Sequence, residues 1–178
     1  MRVTISGLPG SGTTTVAKIL AERLNCKLIS AGEVFRKMAK DLGMSLEEFS
    51  KYARENPEID KKLDKLQKEL AEKENDVVVE GRLSGWFVNA DLKVWIYCED
   101  EERYKRVAKR ENLSYEEAKR RTMERERIEK ERYKKFYGID IDDLTIYDVA
   151  INSGRFKPEE IVEIILKAIE LKNHGNKR

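Results

Sequence analysis

Short runs of apolar and β-branched residues recur along the chain at Val3 to Ser6, Lys27 to Ser30, Val77 to Glu80, Val94 to Cys98 and Val149 to Asn152. Each is continuous instead of alternating, which is the pattern of a parallel strand buried on both faces. Between them, apolar residues recur three and four apart. They stand at Val16, Ile19, Leu20 and Leu24, then at Leu63, Leu66 and Leu70, and last at Ile161, Ile164, Ile165 and Leu171. That spacing predicts helices, each burying one stripe. Strand alternating with helix predicts an α/β fold, a five-stranded parallel sheet flanked by helices and joined by right-handed crossovers.

The strands are unevenly spaced. One helix separates the first two, whereas residues 31–76 and 99–148 each exceed the dozen or so residues that a crossover needs. Both segments therefore hold extra helices, the parts from which lids and substrate platforms are built. No repeat or linker interrupts the chain, so residues 1–178 read as one domain, with a fraying helix end from Asn173.

Composition narrows the function. Charged residues make up 39% of the chain but nearly cancel, leaving a net charge of +2. Whole-molecule charge thus steers toward neither nucleic acid nor membrane. Enrichment in Glu, Lys and Arg beside a single glutamine, Gln67, suits a heat-adapted protein. Cys26 and Cys98 lie far apart beside apolar segments and read as small core residues in a reduced cytosol. No apolar run approaches the ~18 residues of a membrane span, and the start of the chain is too short for a signal peptide before it turns glycine-rich. A cytoplasmic protein is expected.

The stretch "GLPGSGTTT", Gly7 to Thr15, comes closest to a chemical signature. It departs from the phosphate-loop pattern G-x-x-x-x-G-K-[ST] in carrying Thr13 where lysine is usual. A strand precedes it and a helix follows. Glycines at 7, 10 and 12 let the backbone of Gly7, Leu8, Pro9, Gly10, Ser11, Gly12, Thr13, Thr14 and Thr15 curl, so that N–H groups point inward at the helix's positive end. Those donors belong to the main chain and survive the loss of lysine. Thr14 takes the position whose hydroxyl would hold Mg²⁺. A point charge on the β- and γ-phosphates is what the loop lacks, so another cation stands in or the protein binds nucleotide without chemistry.

Arginines in "RRTMERERIEKERYKKFYG" offer that cation. At about 100° per residue, Arg121, Arg125 and Arg132 fall within roughly 40° of one another, while Glu124, Glu129 and Glu131 are expected to point elsewhere. Guanidinium groups grip phosphate oxygens in bidentate fashion. A solvated helix laced by salt bridges is the competing explanation. "ISAGEVFRK" puts Ser30, Gly32 and Arg36 at the carboxyl edge of the sheet, where ligands bind in this architecture. "VVVEGRLSG" adds Glu80, able to order water around Mg²⁺, and Arg82. Glu80 as a helix cap and Arg36 as a surface residue are the plain alternatives. Trp86 and Trp95 read as core. His174, the sole histidine, lies in the tail, so no Ser/His or Cys/His pair forms. Phosphoryl transfer, which needs only positioning, Mg²⁺ and cations, remains.

Five segments in order, "ISGLPGSGTTTVA", "ISAGEVFR", "NPEIDKKLDKLQKEL", "VVVEGRLSGW" and "RERIEKERYKKFYGIDIDDLTIYD", resemble the cytidylate kinases of the archaeal type. These are P-loop nucleoside monophosphate kinases, and the resemblance spans nearly the whole chain. It implies the P-loop nucleoside-kinase fold, with an NMP-binding insertion over about 31–75 and a lid over about 114–140. It implies Mg²⁺-dependent transfer of the ATP γ-phosphate to CMP and dCMP. A monomer is expected, since a small kinase can act as one and no interface stripe stands out. Carried over by position, Gly7 to Thr15 would hold ATP and Thr14 the metal. Ser30, Gly32 and Arg36 would line the CMP site, with Arg82 near its phosphate or sugar. Asp60 and Lys62, in the stretch Asp60 to Asp64, would lie in the acceptor insertion, and Arg125 and Arg132 would clamp the transferring group. Bacterial relatives carry lysine at the Thr13 position and an aspartate where this chain has Leu83; the archaeal type also carries threonine. Kinases acting on UMP, AMP or a small metabolite, and a non-catalytic ATP-responsive protein, are the rival readings.

Overall fold

The computed structural model describes residues 1–175. Strands β1 (Arg2–Gly7), β2 (Lys27–Ser30), β3 (Val77–Glu80), β4 (Leu92–Tyr97) and β5 (Val149–Asn152) form one parallel sheet in the order β2-β3-β1-β4-β5. All five expected strands are present. β4 begins and ends slightly earlier than Val94 to Cys98, and Cys98 is a buried residue just beyond it. The register pairs Ser30 with Glu80 and Ile5 with Glu80, so the ends of β1, β2 and β3 share one carboxyl edge.

One face of the sheet is covered by helix α1 (Thr13–Leu24) and helix α8 (Pro158–Gly175). Val16, Leu20, Ile161 and Ile165 from these helices pack on Val3, Ile5, Val94 and Ile96. Leu171, expected on this stripe, is 60% exposed, and Ile169 takes the buried position. Ile165 and Ile169 are four apart and share a face, whereas Leu171 is turned 200° from Ile169. α8 continues past Asn173, where fraying is expected, through Gly175; the rest of that tail lies outside the described residues.

The long segment after β2 holds α2 (Ala31–Asp41), α3 (Leu46–Glu55) and α4 (Glu58–Glu72). Ser30 caps α2 by accepting from the Glu33 N–H, and Ser45 with Glu48 forms a capping box at α3. A small core of Ala39, Phe49 and Ile59 joins the three. Short helix α5 (Ser84–Phe87) follows β3. The second long segment holds α6 (Asp100–Glu111) and α7 (Tyr115–Tyr137), which ends on Gly138 at φ 65°. Glycine takes that left-handed cap without a Cβ penalty. Along its length α7 buries only Ala118, Thr122 and Tyr133. Leu83 is buried with Trp95, Tyr133, Ile139 and Ile141, and Trp86 packs at that cluster's edge, so these are core residues. Among the described residues no helix is long and apolar enough to cross a membrane.

Candidate active site

The loop after β1 is built by steric necessity. A Cβ on Gly7 would stand 2.5 Å from the Ile96 carbonyl oxygen, and one on Gly10 would stand 2.5 Å from that of Arg103. Gly10 and Gly12 also hold φ of 81° and 95°, in the left-handed region that side chains resist. The loop closes through a Ser11 N–H to Leu8 carbonyl bond of 3.1 Å, and α1 starts at Thr13 with Gly12 as its cap. The free N–H groups of this first turn form an anion cradle on the carboxyl edge of the central strand. Ser11 keeps a buried Oγ without a hydrogen-bond partner.

Two arginines that sequence reasoning missed brace the loop from outside. Arg103, 2% exposed, donates to the Pro9 carbonyl at 3.0 Å and pairs with Asp100 and Glu126. Arg106 donates to the carbonyls of Gly10 and Ser11 and to Ser153. Both lie on α6 in a run, "EDEERYKRVAKRE", whose density of charge reads as solvated surface. The only local hint is their i, i+3 spacing just after a strand.

Thr13, standing where lysine is usual, donates its hydroxyl to a Glu80 carboxylate oxygen at 2.8 Å. Burial pushes the Glu80 carboxyl above its usual range, opposed by the Thr13 bond and by Arg82. Thr14 and Thr15 are exposed at the mouth of the loop. Among the described residues no group of three His, Cys, Asp or Glu side chains could hold a metal alone. The donors present fit Mg²⁺ in another way. Magnesium in phosphoryl-transfer sites takes few protein oxygens, keeps waters and binds substrate phosphates, and an exposed Thr14 hydroxyl at the loop mouth, with the Glu80 carboxylate bonded to the neighbouring Thr13, is a donor set of that kind.

Facing the loop edge is a cluster of alternating charges. Arg82 bonds one oxygen of Glu129 at 2.7 Å, and Arg125 bonds the other at 3.0 Å. Arg132, 21% exposed, pairs with Asp60 at 2.9 Å and keeps a buried Nε without a partner. Glu129 does not point elsewhere, as expected from the sequence; it lies four residues beyond Arg125 and so only about 40° round the helix, on the same stripe. Asp60 is shifted upward by burial, against the pull of Arg132. Arg121 is not drawn in: exposed, it pairs with Glu117, which also binds Arg120. The salt-bridged, solvated description therefore holds for Arg120, Arg121 and Arg127, and for Arg125, which is 58% exposed in its bond to Glu129; it fails for Arg132.

Ser30 is buried at the end of β2, occupied as the cap of α2. Arg36 is exposed on α2 with its guanidinium over Gly32. Lys62 is exposed, and being two residues from both Asp60 and Asp64 it lies on the opposite side of α4 from them. Gln67, buried on the face those carboxylates share, donates to the Glu80 carbonyl at 2.7 Å. One turn past Asp60, Asp64 accepts from the Tyr137 hydroxyl at 2.9 Å.

The model of the cytidylate kinase-like family matches residues 2–155. A cytidylate kinase of Archaeoglobus fulgidus is 65% identical over 173 residues, covering 97% of this chain and 96% of its own. One from Methanocaldococcus jannaschii is 46% identical over 175 residues, covering 96% and 98%. Among solved structures, shikimate kinase from Bacteroides thetaiotaomicron superposes with a TM-score of 0.64 at 17% identity, covering 96% of this chain and 98% of that one, a likeness of fold. With the family model spanning most of the chain and relatives matching it nearly end to end, the chain belongs to the cytidylate kinase-like family.

Proposed function

We propose that this protein transfers the γ-phosphoryl group of ATP to CMP, and to dCMP, giving the nucleoside diphosphate and ADP. The observation that carries it is the meeting, at one sheet edge, of a main-chain phosphate cradle with Arg82, Arg125 and Arg132. Its relatives' shared name supplies the acceptor.

In this reading the Gly7 to Thr15 amides hold the donor phosphates, and helix α1 adds its positive end. Thr14, with water ordered by Glu80, would hold Mg²⁺, which would neutralise the charge that develops on the donor phosphates. Residues 31–75 form the acceptor platform and residues 114–140 the lid. Arg36 and Arg82 receive the acceptor phosphate. An oxygen of that phosphate attacks the γ-phosphorus in line as the bond to the β–γ bridging oxygen breaks, so no general base is required. Arg125 and Arg132 then stabilise the equatorial oxygens, supplying the charge that Thr13 lacks. To do so they exchange Glu129 and Asp60 for phosphate oxygens, and closing the lid excludes water.

Purified protein with Mg-ATP should phosphorylate CMP faster than UMP, AMP or GMP, followed by ADP release. Equal rates across acceptors would remove the CMP assignment. ADP formed without any acceptor, or ATP bound without turnover, would remove the kinase assignment.

A further inference from the structure

Helix α7 carries its arginines over a stretch that has little core of its own. From Met123 to Arg132 no side chain is fully buried, so what places the stretch over the site is a set of ion pairs: Glu126 to Arg103, Glu129 to Arg82, and Arg132 to Asp60. Two of the three are surrendered in the reaction proposed above. Arg82 leaves Glu129 for the acceptor phosphate, and Arg132 leaves Asp60 for the transferring group. Arg103 instead meets the loop at a main-chain carbonyl on its outer side, and its partners Pro9, Asp100 and Glu126 all belong to the protein. No substrate group competes for it, so this pair stays closed while the others open.

The geometry of Arg103 is that of a joint. Its Nη1 donates to the Pro9 carbonyl at 3.0 Å and also to Glu126, so one nitrogen spans the phosphate loop and α7. Nη2 donates to the second Glu126 oxygen at 3.4 Å and to Asp100 at 2.7 Å, which fixes the guanidinium plane against its own helix. Four of the five N–H groups are spent in this way, and the fifth, on Nε, is buried without a partner. The main chain of the same residue presses on the loop as well, since its carbonyl oxygen lies 2.5 Å from where a Gly10 Cβ would stand. Side chain and backbone of Arg103 thus grip two successive loop residues.

We propose that Arg103 is a positioning residue for phosphoryl transfer: it holds Glu126 at a fixed distance from the phosphate loop, so that α7 presents Arg125 and Arg132 in register with the donor's γ-phosphate. Arg125 adjoins Glu126, and Arg132 lies six residues on, about 9 Å along one helix, so a shift at the joint is a shift at both. Phosphoryl transfer depends on placement, and an error of about 1 Å can cost on the order of 10²-fold. The joint touches neither nucleotide. Its loss should therefore appear in kcat and leave the grip of the loop amides on the donor unchanged.

This inference rests on the kinase reading above and fails separately from it. Glu126→Gln cuts the joint on the α7 side, because an amide nitrogen replaces one of the two oxygens that face the guanidinium, while Arg103 keeps Pro9. At 25 °C kcat should fall on the order of 30-fold, with KM for ATP and for CMP within about threefold of wild type. In an Arg132→Ala background the same substitution should cost under about fivefold more, because much of what it misplaces is already gone. A second arm uses the wild-type protein alone. ADP without acceptor fills the loop but offers no γ-phosphate for Arg125 or Arg132 to grip, so by steadying Pro9 it should slow amide exchange over residues 122–130 through the joint. A kcat for folded Glu126→Gln within about threefold of wild type, whatever its Tm, assigns the pair to stability alone and overturns the proposal. So does an equal loss in the Arg132→Ala background, or slowed loop amides under ADP with α7 unaffected. Should Glu126→Gln not fold, the exchange arm decides. If wild-type protein phosphorylates no nucleotide, the parent reading fails instead, and the exchange arm still tests the joint.

Discussion

Replacing Arg132 with alanine removes a guanidinium that is 21% exposed and 2.9 Å from the Asp60 carboxylate. Two costs follow, and their sizes differ enough to be separated. The ion pair is partly solvated on both sides, 21% and 29% exposed, so its loss should cost about 1 kcal/mol of stability and lower Tm by about 2–4 °C. The catalytic cost is larger. An arginine acting on the phosphoryl transition state contributes on the order of 10³ in kcat, about 4 kcal/mol of barrier. The variant should therefore stay folded at 25 °C while kcat falls about a thousandfold, and KM for ATP should move little because the loop amides are untouched. Steady-state ADP release at saturating CMP, with CMP and ATP each varied in turn, separates these terms. Arg121→Ala is the matched control. It lies on the same helix, but its guanidinium is exposed and shares Glu117 with Arg120. Its kcat should stay within about threefold of wild type, as exposed ion pairs contribute little. A kcat in Arg132→Ala within fivefold of wild type, or an equal loss in Arg121→Ala, would refute the claim that guanidinium groups replace the loop's lysine.

Other outcomes follow from the same arrangement of side chains. Gly10→Ala drives a Cβ to 2.5 Å from the Arg103 carbonyl oxygen at a φ of 81°, so ATP binding measured by calorimetry should weaken at least tenfold and thermal stability should drop. Arg103→Ala strands Glu126 and unties Pro9; about 3 kcal/mol of stability should be lost, read as a Tm lowered by about 6–12 °C. Asp64→Asn should do the opposite at neutral pH. Because burial raises the folded-state pKa from 3.8 to about 6, the native state binds the proton more tightly, and stability is lost as pH rises through about 6. Removing the charge should recover about 1–3 kcal/mol at pH 7.5 and nothing at pH 3.5. A Tm gain that does not grow between those two pH values would contradict the assignment of burial as the cause.

The sheet was legible because its strands are continuous apolar runs, and short runs flanked by glycine or polar residues have few other uses. The phosphate loop was legible because its glycines serve close approach and positive φ, both confirmed at Gly10. What escaped was pairing at a distance. Tyr137 and Asp64 are 73 residues apart, and Arg103 meets Pro9 across 94, so no local period connects them. Charge also misled. Arg103 and Arg106 stand in an acidic and basic run like that around Arg120, yet one run turns two arginines inward and the other keeps its own in solvent. Neighbouring elements decide that difference, because a long arginine stem can lie either way on a helix. Glu129 could have been found, since four residues on a helix define one face.

The two halves of the proposed machinery hang from unequal supports. β1 is hydrogen-bonded to a strand on each side and buried from Val3 to Gly7, so its amides should exchange with solvent only on global unfolding. α7 buries three residues and is otherwise held by side-chain pairs, some half-buried and some solvated, so it should open before the central strand does. Warming should accordingly silence turnover before it releases ATP, leaving over some interval of temperature a protein that grips its donor and transfers nothing.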